Sequence, residues 1–237
     1  VISMLNSEFK IDNEQIIAVE NKGLRFNSFT IRDSSENRLT INGVANTTNY
    51  LNYTFDLSLQ AKNFRALNTN KKNNDLYYGQ VYFDTNVKIT GTETAPVVDG
   101  TLRINELTRL TAVIPQEQPG VVERDGIVVF VDKDAPLNDA LFSNQKNKLD
   151  KTNLRGMEVS VNIEIDKKAT LNLIIDEGNG DFLRLQGEAV LNGGVDKSGK
   201  ITLTGSYELE EGAYEMSFNF LHRRFDIQKG SKITWIG

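Results

Sequence analysis

Apolar and polar side chains change places at almost every step along much of this chain. A period of two admits a β-strand with one dry face and one wet face and fits no helix. Leu51, Tyr53, Phe55, Leu57 and Leu59 alternate with Asn52, Thr54, Asp56 and Ser58. Val81, Phe83, Val87 and Ile89 alternate with Tyr82, Asp84, Asn86 and Lys88, and Val159, Val161, Ile163 and Ile165 with Ser160, Asn162, Glu164 and Asp166. Leu171, Leu173 and Ile175 follow, then Leu183 and Leu185, Ile201 and Leu203, and near the end Tyr214, Met216, Phe218 and Phe220. Thr, Val, Ile, Tyr and Phe supply the β preference. The expected fold class is all-β with little helix. The one helix candidate lies within Pro136–Lys148, where Asp134 or Asn138 could cap a short turn.

Turn signals separate the strands: Asn42-Gly43, Asp99-Gly100, Asp125-Gly126, Gly178-Asn179-Gly180, Asn192-Gly193-Gly194 and Ser198-Gly199. The pattern apolar-polar-apolar-polar-Gly recurs as LTING at 39–43, VKITG at 87–91, LRLQG at 183–187 and ITLTG at 201–205. Glycine at the end of such a unit predicts a bend, a bulge or a close approach of two strands. The expectation is one β-rich segment over residues 1–237, built from similar hairpin units that bury their apolar edges on one another. Residues 115–157 break the rhythm. They hold Pro115, Pro119, Pro136 and the polar stretch Ser143–Asn153, with one strand expected at Gly126–Asp132, and they read as an irregular excursion or as a link between two β units.

Composition narrows the function classes. An apolar share of 39% and a charged share of 25% fit a folded globular chain. The 27 Lys and Arg are scattered among 32 acids, for a net charge of −5, so no basic stripe exists to follow a phosphate backbone and no nucleic acid is expected. The absence of cysteine excludes disulfides and thiolate metal ligands. His222 is the single histidine and stands beside Arg223 and Arg224. No Gly-x-Ser-x-Gly accompanies it, and it reads as a turn residue rather than a general base. Asp176–Asp181 lacks the spaced carboxylates of a calcium loop and reads as a hairpin turn. No enzyme, no metal and no cofactor is expected. The chain opens on VISMLNSEFK without a secretory signal and closes on a hydrophobic strand, so it is expected to be a piece of a longer protein.

The tail GAYEMSFNFLHRRFDIQKGSKITWIG resembles the C-terminal region of the TamB family, the translocation and assembly module subunit of Gram-negative envelopes. The resemblance rests on Arg224, Phe225, Ile227, Gly230, Ser231, Ile233, Trp235 and Gly237. Residues 59–104 and 20–47 are similar to the family's version in Bacteroidota, through an Ala-x-Asn-Phe segment, a Tyr-Tyr-Gly and an Ile-x-Gly strand. The resemblance implies an elongated, curled β-sheet, a taco-like trough with an apolar interior. It implies a near-C-terminal periplasmic piece of a protein anchored in the inner membrane by a segment absent here. The family is associated with moving phospholipid toward the outer membrane and with outer-membrane protein assembly beside an Omp85-type barrel, TamA or a relative.

On that reading the partners are phospholipid acyl chains and the barrel. The candidate groove lining is Leu57, Leu59, Val81, Phe83, Val87, Ile89, Val159, Val161, Ile163, Ile165, Leu171, Leu173, Ile175, Leu183, Leu185, Ile201, Leu203, Met216 and Phe218. Three alternatives stay open: a structural or adhesive β-sandwich whose aliphatic faces close on a dry core, a membrane-spanning barrel, and a scaffold that receives strands at its edge. A barrel would want aromatic girdles, and one Trp with seven Tyr supports it weakly. Any bulge along a strand would reverse the phase of the face beyond it.

Overall fold

The computed structural model describes residues 2–4, 7–12, 14–20, 22–47, 49, 51–114, 156–218 and 221–237. The expected excursion at 115–157 therefore lies outside the described residues up to 155. So do the helix expected within Pro136–Lys148 and the strand expected at Gly126–Asp132. Among the described residues every regular element is a strand: β1 (Ile2–Met4), β2 (Ser7–Ile11), β3 (Ile17–Glu20), β4 (Gly23–Arg32), β5 (Arg38–Thr47), β6 (Tyr53–Thr69), β7 (Tyr77–Thr92), β8 (Ala95–Ile104), β9 (Arg109–Val113), β10 (Glu158–Ile165), β11 (Thr170–Asp176), β12 (Asp181–Val195), β13 (Ile201–Phe218), β14 (Leu221–Asp226) and β15 (Lys232–Ile236).

These strands form one large curled sheet, mixed in direction, as the alternation predicts for an all-β chain. Neighbours run β1-β2-β4-β5-β6-β7-β8-β10-β12, with β3 beside β4 and β13 on the far side of β12. β14 pairs with the C-terminal half of β13, and β15 with its N-terminal half. Pairings are antiparallel except β8 with β10 and β9 with β11. β8 and β9 act as a single interrupted strand, since both lie antiparallel to β7, and β10 and β11 do the same against β12.

The interruptions fall on a line across the sheet. β7 steps from Phe83 opposite Ile104 to Gln80 opposite Arg109, leaving residues 105–108 looped out. β12 steps from Ala189 opposite Ile165 to Gln186 opposite Thr170, leaving 166–169 looped out beside them. β6 has register shifts between Ala61 and Phe64 and between Arg65 and Leu67, and β13 has an extra residue at Glu210. Bulges bend a strand and increase its twist, so this alignment folds the sheet along one line. Exposure along β13 follows the bend. Ile201 is 67% exposed, Tyr207 and Leu209 beside the bulge are buried, and Tyr214 and Met216 beyond it are half-exposed.

Polar side chains take up the backbone groups that the bulges withdraw from the ladder. Asp33, 1% exposed, accepts from the backbone N–H of Ser35 and Asn37, from Asn37 Nδ2 and from the bulged Arg65 N–H at 2.7 Å. Asp84 accepts from the N–H of Asn63, a left-handed residue, at 2.6 Å and from Asn105 Nδ2 at 2.8 Å. Buried Thr108 exchanges hydrogen bonds with Tyr82, receiving its N–H at 3.0 Å and donating to its carbonyl at 3.1 Å. The two looped-out segments join through Thr170 N–H to the Thr108 carbonyl and Asp166 N–H to the Ile104 carbonyl.

Glycine serves the curvature elsewhere. Gly43, which ends the first recurring unit, has φ of +120°, and a Cβ there would meet the Asp56 carbonyl oxygen at 2.1 Å. Gly205, which ends the last, has φ of +121° and comes as close to Val190. No side chain fits between backbones at that distance.

Leaving buried donors unpaired costs about 1–3 kcal/mol each. Asp33→Ala is therefore expected to lower unfolding free energy by about 3 kcal/mol in a urea titration, and a change under about 0.5 kcal/mol would remove Asp33 from the support of the fold line.

Candidate functional site

Register decides which side chains share a face, because directly opposed residues point the same way. Reading across the strands, Leu57, Ile89, Val98, Val159, Val195 and Ile201 form one row. Leu59, Val87, Gly100, Val161, Gly193 and Leu203 form the next, and Ala61, Thr85, Leu102, Ile163, Leu191 and Gly205 a third. At the fold line the row is Phe64, Phe83, Ile104, Ile165, Ala189 and Tyr207. Beyond it the same face continues through Leu67 with Val81, Leu171 with Leu185, Leu173 with Leu183, and Leu183 with Tyr214. The bulge at Glu210 moves the face on β13 from odd to even positions, so Ile201, Leu203 and Met216 share it.

Most of the predicted lining is thus brought together. Leu57, Leu59, Val81, Phe83, Val87, Ile89, Val159, Val161, Ile163, Ile165, Leu171, Leu173, Leu183, Leu203 and Met216 are half-buried, Leu185 is buried, and Ile201 is exposed. Phe218 holds the register position opposite Leu221. Ile175, half-buried, falls between Ile174 opposite Phe182 and Asp176 opposite Asp181, at an irregularity where no register partner fixes its face.

The deepest part lies near the fold line. Leu185, Ala189, Leu191, Tyr207 and Leu209 form a buried cluster, with Ile163, Ile165, Leu183, Leu203, Ile227 and Trp235 packed against it. Farther along, Phe64 lies between Phe9, stacked at 5.5 Å, and Phe83 at 5.8 Å. Away from this line the side chains of the face are half-buried or exposed. Among the described residues no second sheet covers it, so the closed sandwich has no second layer there.

The family-like tail divides between the two sides. Tyr214 stacks on Phe225 at 6.3 Å, Ile233 lies opposite Tyr207 and Trp235 opposite Gly205, all on the apolar face. Ile227 turns onto the same face over Gly212, where its N–H bonds the Gly212 carbonyl. Gly230 and Ser231 form the turn that returns the chain to β13. Arg224 lies on the other face, paired with Asp226 at 2.8 Å and Glu215 at 3.6 Å.

The family model for the TamB C-terminal domain matches residues 27–237. The chain belongs to the TamB C-terminal domain family. No curated protein and no solved structure matches it. The TamB family is involved, in general terms, in outer-membrane assembly and lipid transport with outer-membrane partners, and membership points to the cell envelope. No helix among the described residues is long and apolar enough to cross a membrane.

Among the described residues most charges of this TamB-family chain sit on the opposite face and at the turns. Glu20 is held below the usual carboxylate range by its hydrogen bond from Arg25, and Glu210 by that from Lys229. Asp176 and Asp196 are lowered by hydrogen bonds within their turns. On the apolar face burial pushes the Tyr207 and Tyr214 hydroxyls up, because a phenolate there would lose its water. A concavity of about 320 Å³ lies among Arg184, Glu210, Arg224, Asp226 and Lys229, with Gly212 and Ile227 at its apolar side. Among the described residues no cluster of His, Cys, Asp and Glu could hold a metal ion. His222 is a correction. It lies within β14 rather than in a turn, because it pairs across the ladder with Ser217, whose Oγ is 2.9 Å from Nδ1.

An exposed contiguous apolar surface binds environment-sensitive dyes. The native chain is expected to enhance the fluorescence of such a dye, and Val161→Asp to reduce that enhancement with an unchanged circular dichroism spectrum. A native chain that leaves the dye dark would contradict the open face.

Proposed function

We propose that this chain is a periplasmic segment of an intermembrane bridge that holds phospholipid acyl chains against its apolar face and passes them toward the outer membrane. The observation that carries this reading is the face itself. It crosses the sheet from β4 to β13 as aliphatic and aromatic rows interspersed with small residues such as Gly43, Thr85, Gly100 and Gly193, half-exposed away from the fold line, with its charges among the described residues at the turns and edge. Each CH₂ transferred from water to such a surface contributes about 0.8 kcal/mol. A long acyl chain is then held in aggregate, with no single directed bond to break as it advances.

Such a conduit needs no catalytic group, and the reading is of a carrier rather than an enzyme. An inner-membrane anchor elsewhere in the full protein and an Omp85-type barrel, TamA or a relative, at the outer membrane complete the bridge. A second contribution, to outer-membrane protein assembly, has its own support. Among the described residues β14 and β15 pair only with β13, so each presents an outer edge to which an extended segment could add.

Photo-crosslinking in cells tests the conduit. A photoreactive residue at Val161, Leu173 or Leu203 is expected to capture labelled phospholipid, while the same residue at Asn162, Asn172 or Thr202, on the other face, captures none. Equal or absent capture at both sets would overturn it.

A further inference from the structure

Among the described residues the strand interiors of the apolar face bear a single cation, Arg223. Met216 of β13 lies directly opposite Arg223 of β14, with Phe218 opposite Leu221 and Tyr214 opposite Phe225 on either side. Arg223 therefore stands between two exposed apolar residues, Leu221 at 42% and Phe225 at 52%. Its neighbour Arg224 points to the other face and is paired with Asp226 and Glu215. Among the described residues the Arg223 side chain has no hydrogen bond, ion pair or ring contact.

The nearest acids on this face close the β11–β12 hairpin, and both are engaged. Asp176 accepts from Asn179 at 2.6 Å and 3.1 Å, and Asp181 accepts from the Ser217 N–H at 2.6 Å and the Tyr214 hydroxyl at 3.3 Å. Asp181 is also two strands from Arg223, about 10 Å at the usual strand spacing. An unpaired guanidinium at the outer edge of an apolar face offers a planar fork of donors matched to a phosphoryl group.

We propose that Arg223 binds the phosphate of a phospholipid whose acyl chains lie inward on the face, along Met216, Tyr214 and Leu183. This rests on the phospholipid reading above and adds to it a fixed place for the head group. β14 has no strand outside it among the described residues, which puts the head group at an edge of the sheet. The chain then distinguishes a phospholipid from an uncharged lipid with the same chains, and it does so at the edge of the sheet.

The test measures binding of a fluorescent-chain phosphatidylglycerol and of the matching fluorescent-chain diacylglycerol, which lacks the phosphate, to this chain and to Arg223→Gln and Arg223→Lys. Arg223→Gln is expected to weaken phosphatidylglycerol about tenfold, the scale of one charge-assisted hydrogen bond, and to leave diacylglycerol unchanged. Arg223→Lys is expected to recover part of the loss. Unchanged phosphatidylglycerol binding, with both lipids still held, would overturn the Arg223 assignment while leaving the apolar face as a lipid site. Equal weakening of both lipids would also overturn it, since the residue would then act through the shape of the strand. Failure of the parent chain to bind either lipid would remove the phospholipid reading and this assignment together. Inorganic phosphate alone is expected not to protect Arg223 from arginine-directed modification. Protection by phosphate matching that by phosphatidylglycerol would make the site one for free phosphate and overturn its lipid part. Crosslinking from position 223 to protein instead of lipid in cells would do the same.

Discussion

A strand that turns sharply withdraws backbone donors and acceptors from the ladder, and each must find another partner before the turn can persist. That requirement is concentrated here on one line across the sheet. Asp33 receives the displaced N–H of Arg65, Asp84 receives that of Asn63, and Thr108 bonds both the N–H and the carbonyl of Tyr82. Because the loops at 105–108 and 166–169 lie side by side, the bend in one interrupted strand is copied by the next. The curl follows from this alignment, and the depth of burial follows the curl.

A curled single sheet does not bury its inner face as a sandwich does. The rows nearest the fold line, around Leu185, Ala189 and Tyr207, supply a core sufficient to hold the bend. The rows farther out, such as Leu59 with Val87, keep aliphatic surface half-exposed, and among the described residues no second sheet lies over them. Exposed apolar surface on that scale normally marks a surface that meets another molecule. Its chemistry narrows the choice to something long and apolar, and Arg223 at the outer edge is suited to an anionic end. The polar face and the turns carry exposed ion pairs, such as Arg224–Glu215 on the face and Lys168–Glu106 between the two loops.

The alternation at Leu57–Leu59, Val87–Ile89 and Val159–Ile165 was legible because those stretches lie away from the bulges, where period two holds without interruption. At Ile175 an irregularity breaks the count, and alternation there fixes no face. The fold line was not legible. Its loops at Asn105–Thr108 and Asp166–Ala169 look like ordinary turns in sequence, and nothing local says that two distant turns will lie side by side through parallel pairing of β8 with β10 and β9 with β11. His222 read as a turn residue because the break between β13 and β14 is only two residues long, too short for composition to show which side of it the histidine falls on. Arg223 was within reach. Leu221 and Phe225 alternate with His222 and Arg224, and that phase groups Arg223 with the apolar positions of β14, while the register of Arg223 with Met216 turns it to the face of β13.

The central claim is that the apolar face is occupied by phospholipid in the working protein. Mass spectrometry of the chain isolated gently from envelope preparations tests it most directly, beside a variant with Leu59→Asp and Leu203→Asp. The account predicts phospholipid retained in stoichiometric amount by the parent chain and lost from the folded variant. A parent chain that emerges free of lipid, or a variant that retains as much as the parent, would contradict it.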